Sequence, residues 1–116
     1  MADSDPLEWF EKLPCSITVC DRKYQILFLN ERSAQVNASD GGKSLIGKNL
    51  LDCHPPDARA KLMRVMDSGE PNVYTTERKG VHKVIFQGHW KKNGRKAGLV
   101  EITFELPPDA PHFVRT

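Results

Sequence analysis

The β-forming segments of this chain fall into two groups, one near each end, and neither group can bury an apolar face alone. Near the start, Ser16-Ile17-Thr18-Val19-Cys20 alternates with period two and is rich in β-branched residues. A polar turn at Asp21-Arg22-Lys23 joins it to a second strand, Tyr24 to Leu29. Near the end, Asn72 to Glu77, Val81 to Trp90 and Gly98 to Leu106 are strand candidates, separated by the turns Arg78-Lys79-Gly80 and Lys92-Asn93-Gly94-Arg95. Asn-Gly is a strong tight-hairpin signal, since both central residues of that turn need positive φ. The simplest closure is α+β: one five-stranded antiparallel sheet, with the intervening helical segments laid across one face.

Helix signals fill the space between. Ser4-Asp5-Pro6 caps a short amphipathic turn carrying Leu7, Trp9 and Phe10, and Pro14 stops it. Asn30 caps a short helix through Gln35, and Ala38 to Lys43 is the most loop-like stretch. One or two helical turns follow at Leu45–Leu51. His54-Pro55-Pro56 then marks a boundary, because a residue before proline is pushed out of the α region. Pro56 to about Asp67 is the strongest helix, with Ala58, Leu62, Val65 and Met66 on one side, ended by Gly69 and Pro71. The expected organisation is a single domain over 1–116, with an N-terminal helix at about 5–12, a core at about 13–107 and a tail at 108–116.

The 116 residues suit one domain, and 17 basic against 15 acidic residues leave a net charge of +2. That balance gives no strong overall field for nucleic acid or membrane, and no apolar run approaches a membrane span. Three cysteines without CxxC spacing argue against a disulfide scaffold and point to a reducing cytoplasm. Cys15, Cys20 and Cys53 with His54, His82 and His89 lack paired metal-ligand spacing, so they read as small core residues rather than a zinc site. Lys83, His89, Trp90, Lys91, Lys92, Arg95 and Lys96 interleave cations with an aromatic, as nucleic-acid ribbons do; the plainer account is a solvated hairpin tip. In the last strand Val100, Ile102, Phe104 and Leu106 share one face. Glu101, Thr103 and Glu105 share the other, and the two carboxylates read as solvated. No nucleophile elbow, phosphate loop or His/Asp pair is present, so the expectation is a non-enzyme.

The order and joints of these segments resemble the Per-Arnt-Sim (PAS) family from Leu7 to Pro107. The resemblance is carried by Leu13-Pro14 with Ile17 to Asp21 and Ile26 to Asn30. It continues through Leu45-Ile46-Gly47-Lys48-Asn49-Leu50-Leu51, Asp57-Ala58-Arg59 and Ser68-Gly69-Glu70-Pro71, and closes with Gly94, Gly98 and Glu101-Ile102-Thr103. Cys53-His54-Pro55-Pro56 is similar to a segment in a bacterial subgroup, some members of which accompany haemerythrin-like domains.

The resemblance implies sheet order 2-1-5-4-3 and a module that senses or associates. It further implies a small cavity between sheet and connector helices, able to hold haem, flavin, an organic acid or nothing. The ligand-pocket candidates are Phe28, Leu50, Cys53, His54, Leu62, Met66, Tyr74, Phe86 and Phe104, all of which also suit a plain core. His54 is the candidate haem axial ligand, for a redox or gas sensor, against a structural role tying down the connector. Family histidines of that kind often sit on the connector helix, and 56–67 has none. Flavin photochemistry lacks its nucleophile, because Gly47-Lys48-Asn49 is followed by Leu50 where the light-sensing subgroup has cysteine. The expected partners are a second copy, paired through the N-terminal helix and the outer sheet face, and a signalling protein. With the chain ending at Thr116 and carrying no output domain, the signal is expected to pass in trans; a ligand-free dimerisation module is the alternative.

Overall fold

The computed structural model describes residues 7–116, so the cap expected at Ser4-Asp5-Pro6 lies outside the described residues. The elements run α1 (Glu8–Glu11), β1 (Ser16–Asp21), β2 (Ile26–Leu29), α2 (Glu31–Val36), α3 (Pro56–Ser68), β3 (Asn72–Arg78), β4 (Val81–Lys92) and β5 (Arg95–Leu106). Three single 3-10 turns, Ala38–Asp40, Gly42–Leu45 and Leu50–Cys53, link α2 to α3. The five strands form one sheet in the order β2-β1-β5-β4-β3. The two sequence groups therefore meet along β1 and β5, antiparallel from Ser16↔Thr103 to Asp21↔Gly98.

Two side-chain features hold this join. Asn30 is fully buried at the end of β2 and uses every polar valence. Its Oδ1 accepts from the Ile17 and Ser33 amides at 3.0 Å, and its Nδ2 donates to the Phe10 and Cys15 carbonyls at 2.9 and 2.8 Å. One residue thus caps α2 and ties α1 and β1 to the end of β2. At the other end of the join Gly98 lets β5 approach β1 closely: a Cβ there would lie 1.8 Å from the Cys20 carbonyl oxygen.

Cys20 and Leu99 face the helices and enter a core with Ile26, Leu29, Leu45, Leu50, Leu62 and Val65. Alternation along β5 then puts Glu101, Thr103 and Glu105 on this covered face. Val100, Ile102, Phe104 and Leu106 lie on the open one. The grouping matches the sequence pattern, but the expectation that both carboxylates are solvated fails for Glu101, which lies beneath the connector. Facing strands extend the apolar side: Val100 opposes Val19 and Gly88, and Ile102 opposes Ile17 and Phe86. Among the described residues no helix is long and apolar enough to cross a membrane.

Candidate functional site

Under the connector, a row of polar side chains crosses the covered face of the sheet. Asn72 on β3 donates from Nδ2 to Gln87 Oε1 on β4 at 2.9 Å. Gln87 Nε2 in turn donates to Glu101 Oε2 on β5 at 2.7 Å. The strands hold these residues in line because Asn72 opposes Gln87 and Gln87 opposes Glu101. His54, at the end of the 3-10 turn Leu50–Cys53, closes the row with Nε2 at 3.8 Å from the same Glu101 oxygen, an ion pair just beyond hydrogen-bond reach.

The turn aims the imidazole. His54 Nδ1 donates to the Leu50 carbonyl at 2.9 Å, and the His54 carbonyl accepts from Arg59 Nε at 2.8 Å. Pro55 behind it holds His54 extended, at φ −125° and ψ 144°. With Nδ1 donating, a neutral ring would turn the Nε2 lone pair toward a carboxylate, so the charged ring is favoured. Accordingly Glu101 raises the His54 pKa above its ordinary value, against an opposing effect of burial. Burial alone would raise the Glu101 carboxyl, but the His54 contact and the Gln87 hydrogen bond together hold it below the usual carboxylate range.

His54 and Glu101 line a cavity of about 80 Å³ with Thr18, Asn37, Leu50 and Cys53. Opposite the ion pair, Thr18 and Ser33 share a hydroxyl hydrogen bond of 2.6 Å, and Asn37 Nδ2 donates to the Ser33 carbonyl. A larger groove of about 670 Å³ opens between α2 and the ends of β1 and β5, bordered by Lys12, Arg32, Lys83 and Glu105. Asn37 and Glu101 belong to the walls of both spaces. They are therefore the partition between the inner cavity and the open groove.

The nine expected pocket residues separate. Leu50, Cys53 and His54 line the inner cavity. Leu62 is buried in the core and Met66 packs against it. Tyr74 is on the covered face but exposed, with Lys61 Nζ 5.9 Å from its ring. Phe86 and Phe104 lie on the open face, and Phe28, opposite Val19, stacks on Phe10 at a centroid distance of 4.7 Å. These three phenylalanines do not reach the cavity, because odd and even positions of a strand point to opposite sides. Glu101, Gln87, Asn72, Thr18 and Asn37 were not among the expected site residues. For the four on strands the common signal is polarity at facing positions, which becomes visible only with the strand register; Asn37 is placed by the end of α2.

Haem does not fit this geometry. Pockets for ligands of that kind take several hundred Å³ (about 300–1,000), whereas the cavity beside His54 holds about 80 Å³. Nδ1 is also committed to the Leu50 carbonyl, and Nε2 faces the Glu101 carboxylate at 3.8 Å. Of the three cysteines only Cys20 is the buried core residue the sequence suggested, its thiol pushed up to about 11 by burial; Cys15 is half-buried, and Cys53 is exposed at the cavity rim with its thiol pKa raised by partial desolvation. Among the described residues no three His, Cys, Asp or Glu side chains gather as a metal site would require.

Residues 10–78 match the family model described as the PAS fold. Over 76 residues, 66% of this chain, the sequence is 33% identical to the Cbb3-type cytochrome c oxidase subunit CcoP of Azospirillum brasilense; the chain spans 22% of that protein's length. The fold is similar to the PAS domain of Bordetella pertussis BvgS (TM-score 0.62, 18% identity), covering 92% of this chain and 90% of that one. It is also similar to a Vibrio cholerae VqmA dimer structure (TM-score 0.68, 15% identity), covering 99% of this chain and 56% of that one. A C-terminal domain from Streptococcus mutans gives a TM-score of 0.67 at 19% identity, with 84% and 80% covered. At such identities the structural likeness is one of fold.

Proposed function

Because the chain belongs to the PAS fold family, we propose that it is a sensing module whose input is read by the His54–Glu101 pair and whose output is a change in how the connector, Leu50 to Ser68, rests on the sheet. The observation that carries this reading is a largely buried carboxylate on the covered face, facing a histidine that belongs to the connector itself. Charge at this pair sets the attraction between the two layers, so any event that alters the charge alters their packing. A cavity of about 80 Å³ admits a proton, a few water molecules at roughly 30 Å³ each, or a solute of that size. Larger ligands would have to enter by moving the Asn37–Glu101 partition.

Glu101→Gln tests the coupling. It keeps an acceptor for Gln87 and removes the charge opposite His54. Hydrogen exchange is expected to accelerate across Leu50–Ser68 while β1 and β5 keep their protection. Unchanged exchange in the connector would refute a sensing role for the pair.

A second reading, association with another copy, is favoured by the open face of the sheet. Phe86, Phe104, Leu106 and Val73 are 36%, 39%, 40% and 59% exposed there, a contiguous apolar surface on facing strands. The Phe10–Phe28 stack brings α1 to its margin, which agrees with pairing through the N-terminal helix and outer face. Sedimentation is expected to show a concentration-dependent dimer that Phe104→Glu dissociates. A monomer at all concentrations rules the pairing out.

A further inference from the structure

The tip of the β4–β5 hairpin breaks a rule that the rest of the sheet keeps. Lys91 lies directly opposite Lys96, and Lys92 directly opposite Arg95. Like charges facing each other across strands destabilise a hairpin. The tip does not need these residues in order to turn: Asn93 and Gly94, at φ 53° and 77°, make the tight turn.

Among the described residues no carboxylate comes within ion-pair distance of Lys91, Lys92 or Arg95. The β1–β2 turn brings Arg22 and Lys23 to the same end of the sheet, since the β1–β5 pairing ends at Asp21↔Gly98. Asp21, the nearest acid in that turn, spends its Oδ1 on the Lys23 and Gln25 amides, each at 2.9 Å. Lys96 rests against Gly69 at the C-terminal end of α3, while Arg22, Lys23, Lys91, Lys92 and Arg95 are exposed. All five stand outside the ion pairs of the described residues.

The array is also held in place. Trp90 Nε1 donates to the Cys20 carbonyl at 2.9 Å, pinning the base of the tip to β1 beside the close approach at Gly98. Repulsion maintained on a fixed scaffold, in a molecule of net charge only +2, is local stability given up for contact with an external anion.

We propose that the β4–β5 tip together with the β1–β2 turn docks an acidic face of a partner protein. Nucleic acid fits less well: Trp90, at the base of the tip, is half-buried with its N–H committed, and residues 91–96 carry no aromatic on which bases could stack. A membrane surface fits less well too, because residues 91–96 carry no apolar side chain to insert. This inference is independent of the sensing reading, since none of these residues touches the inner cavity.

The test is fluorescence anisotropy with a short labelled Asp/Glu-rich peptide, beside a single-stranded oligonucleotide of equal charge and vesicles containing phosphatidylserine. The variant Lys91→Glu/Arg95→Glu turns both like-charge pairs into opposite-charge pairs. It is expected to weaken peptide binding by about tenfold or more, equal to about 1.4 kcal/mol, and at the same time to raise the melting temperature. Lys48→Glu/Lys79→Glu makes the same change in net charge elsewhere and is expected to leave peptide binding intact. The proposal is overturned if that control loses binding equally, if the tip variant is less stable than the parent, or if oligonucleotide or vesicles bind more tightly than the peptide.

Discussion

Glu101 and His54 make the protein's pH response a matter of two opposite shifts. The His54 pKa is raised above its ordinary value of 6.5, so its contribution to stability is complete below that value and fades as pH climbs through the raised one. The Glu101 pKa is lowered from 4.5, so its contribution is complete above that value and fades as pH falls through the lowered one. The pair therefore stabilises the fold most between these two ordinary values. Thermal melts of parent and His54→Gln are expected to differ most in that window and to converge as pH rises through the raised His54 pKa, where the parent imidazole loses its proton. A constant difference across pH would assign His54 a packing role instead. Asn30 makes the complementary case without charge. Asn30→Asp keeps both acceptor contacts but loses both donors to the Phe10 and Cys15 carbonyls, and buries a charge. Urea titration is expected to show a loss of about 3 kcal/mol. Asn30 was legible as a helix cap from its position before Glu31-Arg32-Ser33, whereas its two donor bonds join segments that sequence alone does not bring together.

Between elements, β5 carries the most information, because it pairs with β1 on one side and β4 on the other. Its two faces were legible from alternation, yet their assignment was not. Apolar residues commonly mark the buried side, and here they mark the open one, while the covered side holds Glu101 in a hydrogen-bonded row. That inversion is possible because the connector and the 3-10 turn Gly42–Leu45 before it supply Leu45, Leu50, Leu62 and Val65, enough apolar surface to build a core with Cys20 and Leu99. Gly98 tests how closely β1 and β5 must meet. A Cβ 1.8 Å from a backbone oxygen cannot be relieved by moving a side chain. Gly98→Ala is expected to cost about 3 kcal/mol by opening the pair. Gly80→Ala at the β3–β4 turn, with nothing within 4 Å and only its positive φ to strain, should cost about 1 kcal/mol. Equal losses in chemical denaturation would remove the argument for a required close approach.

Over the whole molecule, stability is expected to follow position in the sheet rather than position in the chain. The edge strand β3 is exposed along almost its full length, while β5 lies between two partners. Native-state hydrogen exchange should therefore be slowest in Val100–Thr103 and in Thr18–Cys20, and fastest in β3. Comparable protection of β3 and β5 would mean that its edge is covered in solution.

Elements with local causes were legible in the sequence itself. The Asn93-Gly94 turn, the helix from Pro56 to its Gly69 stop, the period-two strands and the pairing of two incomplete β groups follow from torsional preference and alternation, which act over a few residues. Tertiary structure alone decided which face of the sheet the connector covers. It also decided that Glu101 meets His54 rather than water, and that Phe28, Phe86 and Phe104 stay away from the cavity. Those outcomes depend on register between distant strands, and one residue of slip would exchange every inward side chain for an outward one.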